Sequence, residues 1–233
     1  MSKTIETRHY RRSEAAVFLK TQERFGGLSN MAGGFPLNIG GVRVLSSEAL
    51  YQACRYPHMP DVQKIILDQS SPMTAKMKTK RFRLQSRPDW EQVRVRIMRW
   101  CLRVKLAQHR PSFTELLFST GELPIVEESR KDSFWGAKPV EGDSLEGMNV
   151  LGRLLMELRE IARKELPENL RTVEPPNISN FLLLGQPIGR IGKEMPMVIS
   201  SANRLPLFDD AEEQVVSFPP PSITHSSTIG IHP

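Results

Sequence analysis

Carboxylates, amides and an indole gather in three short stretches of this chain. The stretch Ser47-Glu48-Ala49-Leu50-Tyr51-Gln52-Ala53-Cys54-Arg55 reads as helical. Offsets of four and seven place Glu48, Gln52 and Arg55 on one helix face. Tyr51 flanks that face, and Ala49, Leu50, Ala53 and Cys54 take the other side. A carboxylate, an amide, a guanidinium and a phenol together suit a charged sugar nucleotide. A solvated face with one intrahelical contact would use the same residues. The second stretch, Glu127 to Gly136, sets Asp132 beside Phe134 and Trp135. An exposed indole stacks on a flat base, while a loop pinned to the core by both rings is the plainer alternative. The third, Phe25-Gly26-Gly27-Leu28-Ser29-Asn30, puts a hydroxyl and an amide in a glycine-rich loop. Such a loop can grip sugar hydroxyls or serve as an ordinary polar turn.

Other chemistries lack their residues. The five histidines, His9, His58, His109, His225 and His232, form no pair at metal-ligand spacing. Cys54 and Cys101 give neither a zinc pattern nor a disulfide framework. There is no phosphate-binding loop and no dinucleotide fingerprint. The expectation is therefore no metal and no cofactor.

The chain has 233 residues, 39% hydrophobic and 25% charged, which is ordinary globular usage. No apolar run approaches the ~20 residues needed to span a bilayer, and the first residues, MSKTIETRHYRRSE, lack the apolar core of a signal peptide. The expectation is a cytoplasmic protein without membrane contact. Net charge is +6, and residues 76–110 hold 12 of the 32 basic residues against Asp89 and Glu91 alone. Such a stripe either meets phosphates, through Arg94, Arg96, Arg99 or Lys105, or solubilises a helix.

The elements that must position these groups follow from periodicity and caps. Leu37 to Ile39 and Arg43 to Leu45 flank Gly40-Gly41 as a hairpin. Ser46-Ser47 caps a helix carrying Glu48, and Pro60 and Pro72 open two more. Trp90, Val93, Ile97, Trp100, Cys101 and Val104 make the buried stripe of a long basic helix. Ser112 and Glu115 read as a capping box. Leu123 to Glu127 reads as a strand, and a last helix is expected to start near Asp143 or Ser144, with Leu151, Leu154, Leu155, Leu158 and Ile161 inward. Ten of the 18 prolines lie at or beyond Pro167, which argues against packed structure there. FLLLGQPIGRIG and MPMVIS are each a short strand or docking patch, and disorder is expected from Glu212 onward.

Taken in order, these pieces resemble the YbiA-like family, also called NADAR (NAD- and ADP-ribose-associated) proteins. The matching residues are Leu28 to Asn30, Ser47-Glu48, Gln52-Ala53, Ser70 to Met73 and Trp90. They continue with the E-x-x-x-x-D-x-x-W-G frame from Glu127 to Gly136 and G-x-N-x-L-G-x-L-L-M-E-L-R-E from Gly147 to Glu160. The resemblance covers roughly residues 18–163. It implies an α+β fold, a predominantly helical single domain with a small antiparallel sheet. The expected organisation is an N-terminal arm over residues 1–17, the domain over 18–166, and a Pro-rich, partly disordered extension over 167–233.

The resemblance also implies an N-glycosidase. Its substrate would be an ADP-ribose-linked compound, such as ADP-ribosyl-guanine, or a ribosylamino intermediate of the riboflavin pathway. A catalytically impaired ADP-ribose-binding or toxin-neutralising module is the alternative. Breaking a ribosyl C1′–N bond builds oxocarbenium character on the sugar, which a carboxylate stabilises, and the departing nitrogen needs a proton. Glu48 would activate water or stabilise the cation, and Asp132 would position or donate. Trp135 would stack on the base, and Gly136 beside it would also belong to the substrate-binding residues. Ser29, Asn30, Gln52, Arg55 and Asn149 would bind ribose or phosphate. The implied partners are a small-molecule or nucleic-acid-linked substrate, a nucleic acid met through residues 76–110, and a toxin.

Overall fold

Alternation, caps and glycine turns cut the chain into short strands around a helical core. The computed structural model describes residues 6–166 and 168–192. Strands β1 (Arg8–Arg11) and β2 (Ala16–Phe18) come first, followed by the hairpin β3 (Leu37–Ile39) and β4 (Val42–Val44). Gly40 and Gly41 turn that hairpin at φ 58° and 91°, values that a side chain would resist. Helices α1 (Ser47–Ala53), α2 (Pro60–Leu67) and α3 (Pro72–Lys78) follow, α1 behind its expected cap Ser46 and α2 and α3 with proline in the first turn; the expected α3 cap, Ser71, makes no side-chain hydrogen bond. The long helix α4 (Trp90–Gln108) buries Trp90, Val93, Ile97, Trp100, Cys101 and Val104, the stripe expected from periodicity. Then come α5 (Arg110–Phe118), β5 (Ile125–Glu127), β6 (Lys138–Pro139), β7 (Ser144–Gly147) and α6 (Val150–Lys164). Four two-residue strands close the described chain: β8 (Thr172–Val173), β9 (Leu182–Leu183), β10 (Gln186–Pro187) and β11 (Ile191–Gly192).

The sheets are small. β1, β7 and β6 form an antiparallel sheet in that order, β2 pairs with β5 in parallel, and β8 pairs with β11 and β9 with β10. Helix α4 packs against α1, α5 and α6 and so runs through the centre of the core. The α+β, mostly helical expectation therefore holds, with a parallel pair that alternation alone did not indicate.

Several local expectations are corrected. The last helix starts at Val150, not at Asp143 or Ser144, because Ser144–Gly147 pairs with β1 instead. Helix α5 starts at Arg110 with Pro111 in its first turn, and Ser112 donates to His109 O at 3.3 Å rather than forming a capping box. The segment expected to be an arm up to residue 17 carries β1 and most of β2, paired with β7 and β5.

The packed chain also runs past residue 166. Val173, Phe181, Leu183, Ile188 and Ile191 are buried in the same core as α4. The Phe181 ring meets Trp100 edge-on at 5.0 Å. Buried Gln63 donates to Ala53 O at 3.0 Å and Leu182 O at 2.9 Å, and accepts from Leu184 N at 2.6 Å. Prolines did not prevent this, because a chain of two-residue strands and turns asks few backbone donors of them. The MPMVIS segment and the region from Glu212 onward lie outside the described residues. Phe181→Ala is expected to cost about 3 kcal/mol, read as a lower urea midpoint with an unchanged slope. A midpoint like that of the parent would show that the ring contributes little to the core.

Candidate active site

The site is built on the first turn of α1. Ser46 accepts from Ala49 N at 3.2 Å and so starts the helix. Two residues on, Glu48 is only 2% exposed. Its Oε2 accepts from Asn30 Nδ2 at 2.5 Å and its Oε1 from Gln52 Nε2 at 2.9 Å. The main chain adds a third tie, Glu48 N donating to Asn30 O at 2.9 Å. From α3, Lys76 Nζ stands 3.9 Å from Oε1. A charge taken out of water has to be met in this way. The solvated-face alternative for α1 is thereby excluded, since all seven of its residues are buried. Gln52 Oε1 and Ser47 Oγ are buried with no hydrogen-bond partner among the described residues.

Asn30 is held in place by a lysine. Lys105, on α4, donates to Gly27 O at 2.6 Å and Ser29 O at 3.1 Å. Its ammonium lies 4.3 Å from the ring centres of both Phe35 and Phe113. Burial pulls the Lys105 ammonium down to about 7. Ser29 uses its hydroxyl on Met31 N at 3.1 Å. The glycine-rich loop is therefore a buried scaffold for Asn30, and Lys105, only 1% exposed, cannot hold a phosphate backbone.

The other wall is the loop from Glu127 to Gly136. Asp132 Oδ1 accepts from Phe134 N at 2.9 Å and Trp135 N at 3.0 Å, and Asp132 N donates to Ser129 Oγ at 3.0 Å. This tight turn sets the Trp135 ring edge-on to Tyr51 at 5.6 Å, while Tyr51 also lies 4.9 Å from Trp90. Burial and the nearby Glu48 charge raise the Tyr51 phenol, so it stays protonated. The carbonyls of Ser133, Phe134, Trp135 and Gly136 accept from the amides of Met148, Val150, Leu151 and Asn149. Those amides would otherwise be left open around the start of α6. Gly136 has a packing reason as well: a Cβ there would stand 2.5 Å from Glu127 O.

Asn149 is fully buried and left-handed at φ 47°. Its amide donates to Ile125 O at 2.8 Å and accepts from Glu127 N at 3.1 Å. Both ends are used in fastening β5 to α6. Arg55 lies past the end of α1, where its Nε donates to Ser86 Oγ at 2.6 Å and its guanidinium sits 5.0 Å over the Trp90 ring. It is not on the face that presents Glu48 and Gln52 to each other.

Of the expected residues, Glu48, Asn30 and Gln52 are joined by direct hydrogen bonds, and Trp135 reaches them through Tyr51. Asp132, Gly136 and Asn149 shape the wall behind. One group was in the sequence frame without a role. Glu127 ends β5, and burial followed by the Glu48 charge pushes its carboxyl up to about 7, with Lys76 opposing and Asp132 adding. Its first position in the Glu127 to Gly136 frame was the available signal. Lys76 was hidden in a basic run.

The basic stretch is partly consumed within the fold. Arg99 pairs with Glu157 through Nε at 2.9 Å and Nη2 at 3.1 Å, and Arg96 donates to Asn177 O at 2.5 Å. Arg94 stacks 3.7 Å over Phe134. Lys78, Lys80, Arg81 and Arg83 remain exposed. Among the described residues, no group of three or more His, Cys, Asp or Glu side chains is placed to hold a metal ion. No described helix is long and apolar enough to cross a membrane.

The family model of the NADAR domain matches residues 17–163. The chain belongs to the NADAR family. N-glycosidase YbiA of Escherichia coli is 33% identical over 146 residues, covering 61% of this chain and 85% of that protein. Riboflavin biosynthesis protein VVA0006 of Vibrio vulnificus is 32% identical over 155 residues, and the match spans 66% of this chain but 40% of that longer protein. The NMR structure of E. coli YbiA aligns with a TM-score of 0.53 at 33% identity, over 64% of this chain and 89% of that one. The NADAR match holds every residue of the Glu48 cluster and the Trp135 wall, while residues 168–192 lie outside it.

Proposed function

We propose that this NADAR protein is an N-glycosidase that hydrolyses the C1′–N bond of a ribosyl compound. The observation that carries the reading is Glu48: a buried carboxylate with amide donors on both oxygens, beside an aromatic wall. A rigid carboxylate next to C1′ would meet the positive charge that develops as the bond lengthens, without reorganising. Tyr51 and Trp135 offer ring surface for a planar leaving base. The free acceptor Oε1 of Gln52 and the hydroxyl of Ser47 suit ribose hydroxyls. Relatives bearing the names N-glycosidase and riboflavin biosynthesis protein support the same chemistry.

The substrate carries either an ADP-ribose or a ribosylamino group. If the modified base is part of a nucleic acid, the strand would be held by Lys78, Lys80, Arg81 and Arg83, the cations left exposed near the start of the basic stretch. The deciding experiment is product analysis after mixing the protein with ADP-ribosylated guanine DNA and, separately, with a ribosylamino pyrimidine phosphate. Release of the free base from either supports the reading. Intact substrates in both mixtures would exclude it for these two classes.

A further inference from the structure

The acids around the site differ in how their oxygens are used. Glu48 is met by Asn30, Gln52 and Lys76. Asp132 spends Oδ1 on two backbone amides, and Glu128 is paired with Arg12. Glu127 is different. Its main chain is fixed on both sides, with N donating to Asn149 Oδ1 at 3.1 Å and O accepting from Ala137 N at 2.8 Å. Yet among the described residues no hydrogen bond or ion pair is formed by its carboxyl group. A rigidly mounted carboxyl with no protein partner is available to a ligand.

We propose that Glu127 is the proton donor to the departing nitrogen, acting opposite the permanently engaged carboxylate of Glu48. This rests on the N-glycosidase reading. The charged groups whose fields reach the Glu127 carboxyl are Glu48 from α1, Lys76 from α3 and Asp132 from the following loop. Burial and two negative neighbours hold its proton on against the single lysine, up to about 7, so a substantial share of the molecules carries the proton at neutral pH. Two carboxyl groups in one site with environments that differ in this way take different roles. As the C1′–N bond breaks, its electron pair goes to nitrogen, which takes the Glu127 proton. A water oxygen then bonds to C1′, and the proton it loses returns to the Glu127 carboxylate. The sum is substrate plus water giving free amine or base plus ribose, with both glutamates restored.

The test uses two leaving groups. A ribosylamino pyrimidine phosphate needs protonation to depart. An N-ribosylpyridinium 5′-phosphate does not, because it leaves as a neutral pyridine. For the first substrate, wild-type kcat/KM is expected to fall about tenfold per pH unit above roughly pH 7, and for the second this limb should be absent. Glu127→Gln, which retains size and polarity, should lose ~10²–10⁴-fold on the first substrate and little on the second. Glu48→Gln should lose activity on both. Equal losses by Glu127→Gln on both substrates, or a wild-type profile flat above pH 7, would overturn the assignment. A wild-type protein inert toward both would instead overturn the N-glycosidase reading beneath it. If Glu127→Gln does not fold, the two wild-type pH profiles still decide.

Discussion

Glu48→Gln is expected to lower turnover by ~10²–10⁴-fold while leaving the fold nearly unchanged. The separation of the two effects comes from the hydrogen bonds. In the parent, Asn30 and Gln52 both donate to Glu48. A glutamine keeps one acceptor oxygen, which Asn30 can still use. Its new amide donor would meet the Gln52 amide nitrogen, but Gln52 has an unpartnered buried Oε1. A flip of the Gln52 amide brings that oxygen round as acceptor and puts its nitrogen where the unpartnered oxygen stood, so one unpaired buried polar atom is exchanged for another and none is added. Lys76 loses a partner, yet its side chain is 52% exposed and water replaces the contact at little cost. What is lost is the negative charge that the proposed reaction requires beside C1′. Measured product release should therefore collapse while the urea midpoint stays close to that of the parent. Turnover like that of the parent would show that Glu48 binds without taking part in bond cleavage.

How much of this was legible in the sequence depends on the range of the interaction. Caps, prolines and apolar periodicity act over a few residues, so α1 to α4 and the β3–β4 hairpin could be read directly. Ser144–Gly147 could not, because its strand character comes from pairing with Arg8–Arg11, more than a hundred residues away. The chain beyond 166 was misjudged for a related reason. Proline content describes local backbone, whereas the burial of Phe181 against Trp100 is a contact between distant segments. At the site, residue type marked Glu48 and Trp135 only as candidates beside plainer alternatives, and the family resemblance, not type alone, supplied their expected roles. Asn149 is an amide like Asn30, and spacing does not say which one donates to Glu48 and which ties two elements together. Arg55 sits at the right offset for the Glu48 face, but α1 ends at Ala53, so the helical geometry behind that offset stops short of it. Glu127 acquires its character from burial first, then from the Glu48 charge, with Lys76 opposing and Asp132 adding, and neither burial nor Glu48 and Lys76 can be read from its own strand.

Lys105→Met is expected to make the stability of the protein depend on pH in a different way. In the parent, burial pulls the Lys105 ammonium down to about 7, while an unfolded chain keeps it near 10.4. Between those two values the unfolded state holds a proton that the folded state lacks. Stability supplied by this group therefore rises with pH across that window, by up to roughly 1.4 kcal/mol per unit. Below pH 7 the penalty of burial is fully felt. Methionine fills nearly the same space against Phe35 and Phe113 and has no proton to lose. It also strands Gly27 O and Ser29 O, which accept from Nζ in the parent, at about 1–3 kcal/mol each. Near pH 7 the relief and the stranding oppose each other and the variant lies close to the parent. At pH 9.5 the relief has gone, so the parent should exceed the variant by on the order of 3 kcal/mol more than at pH 7. Urea unfolding at the two pH values gives this difference directly. A gap that does not move with pH would mean that Lys105 is not titrating from a buried state. Activity adds a second readout, because loosening Gly27 to Ser29 frees Asn30, and with it one of the two amides that fix Glu48.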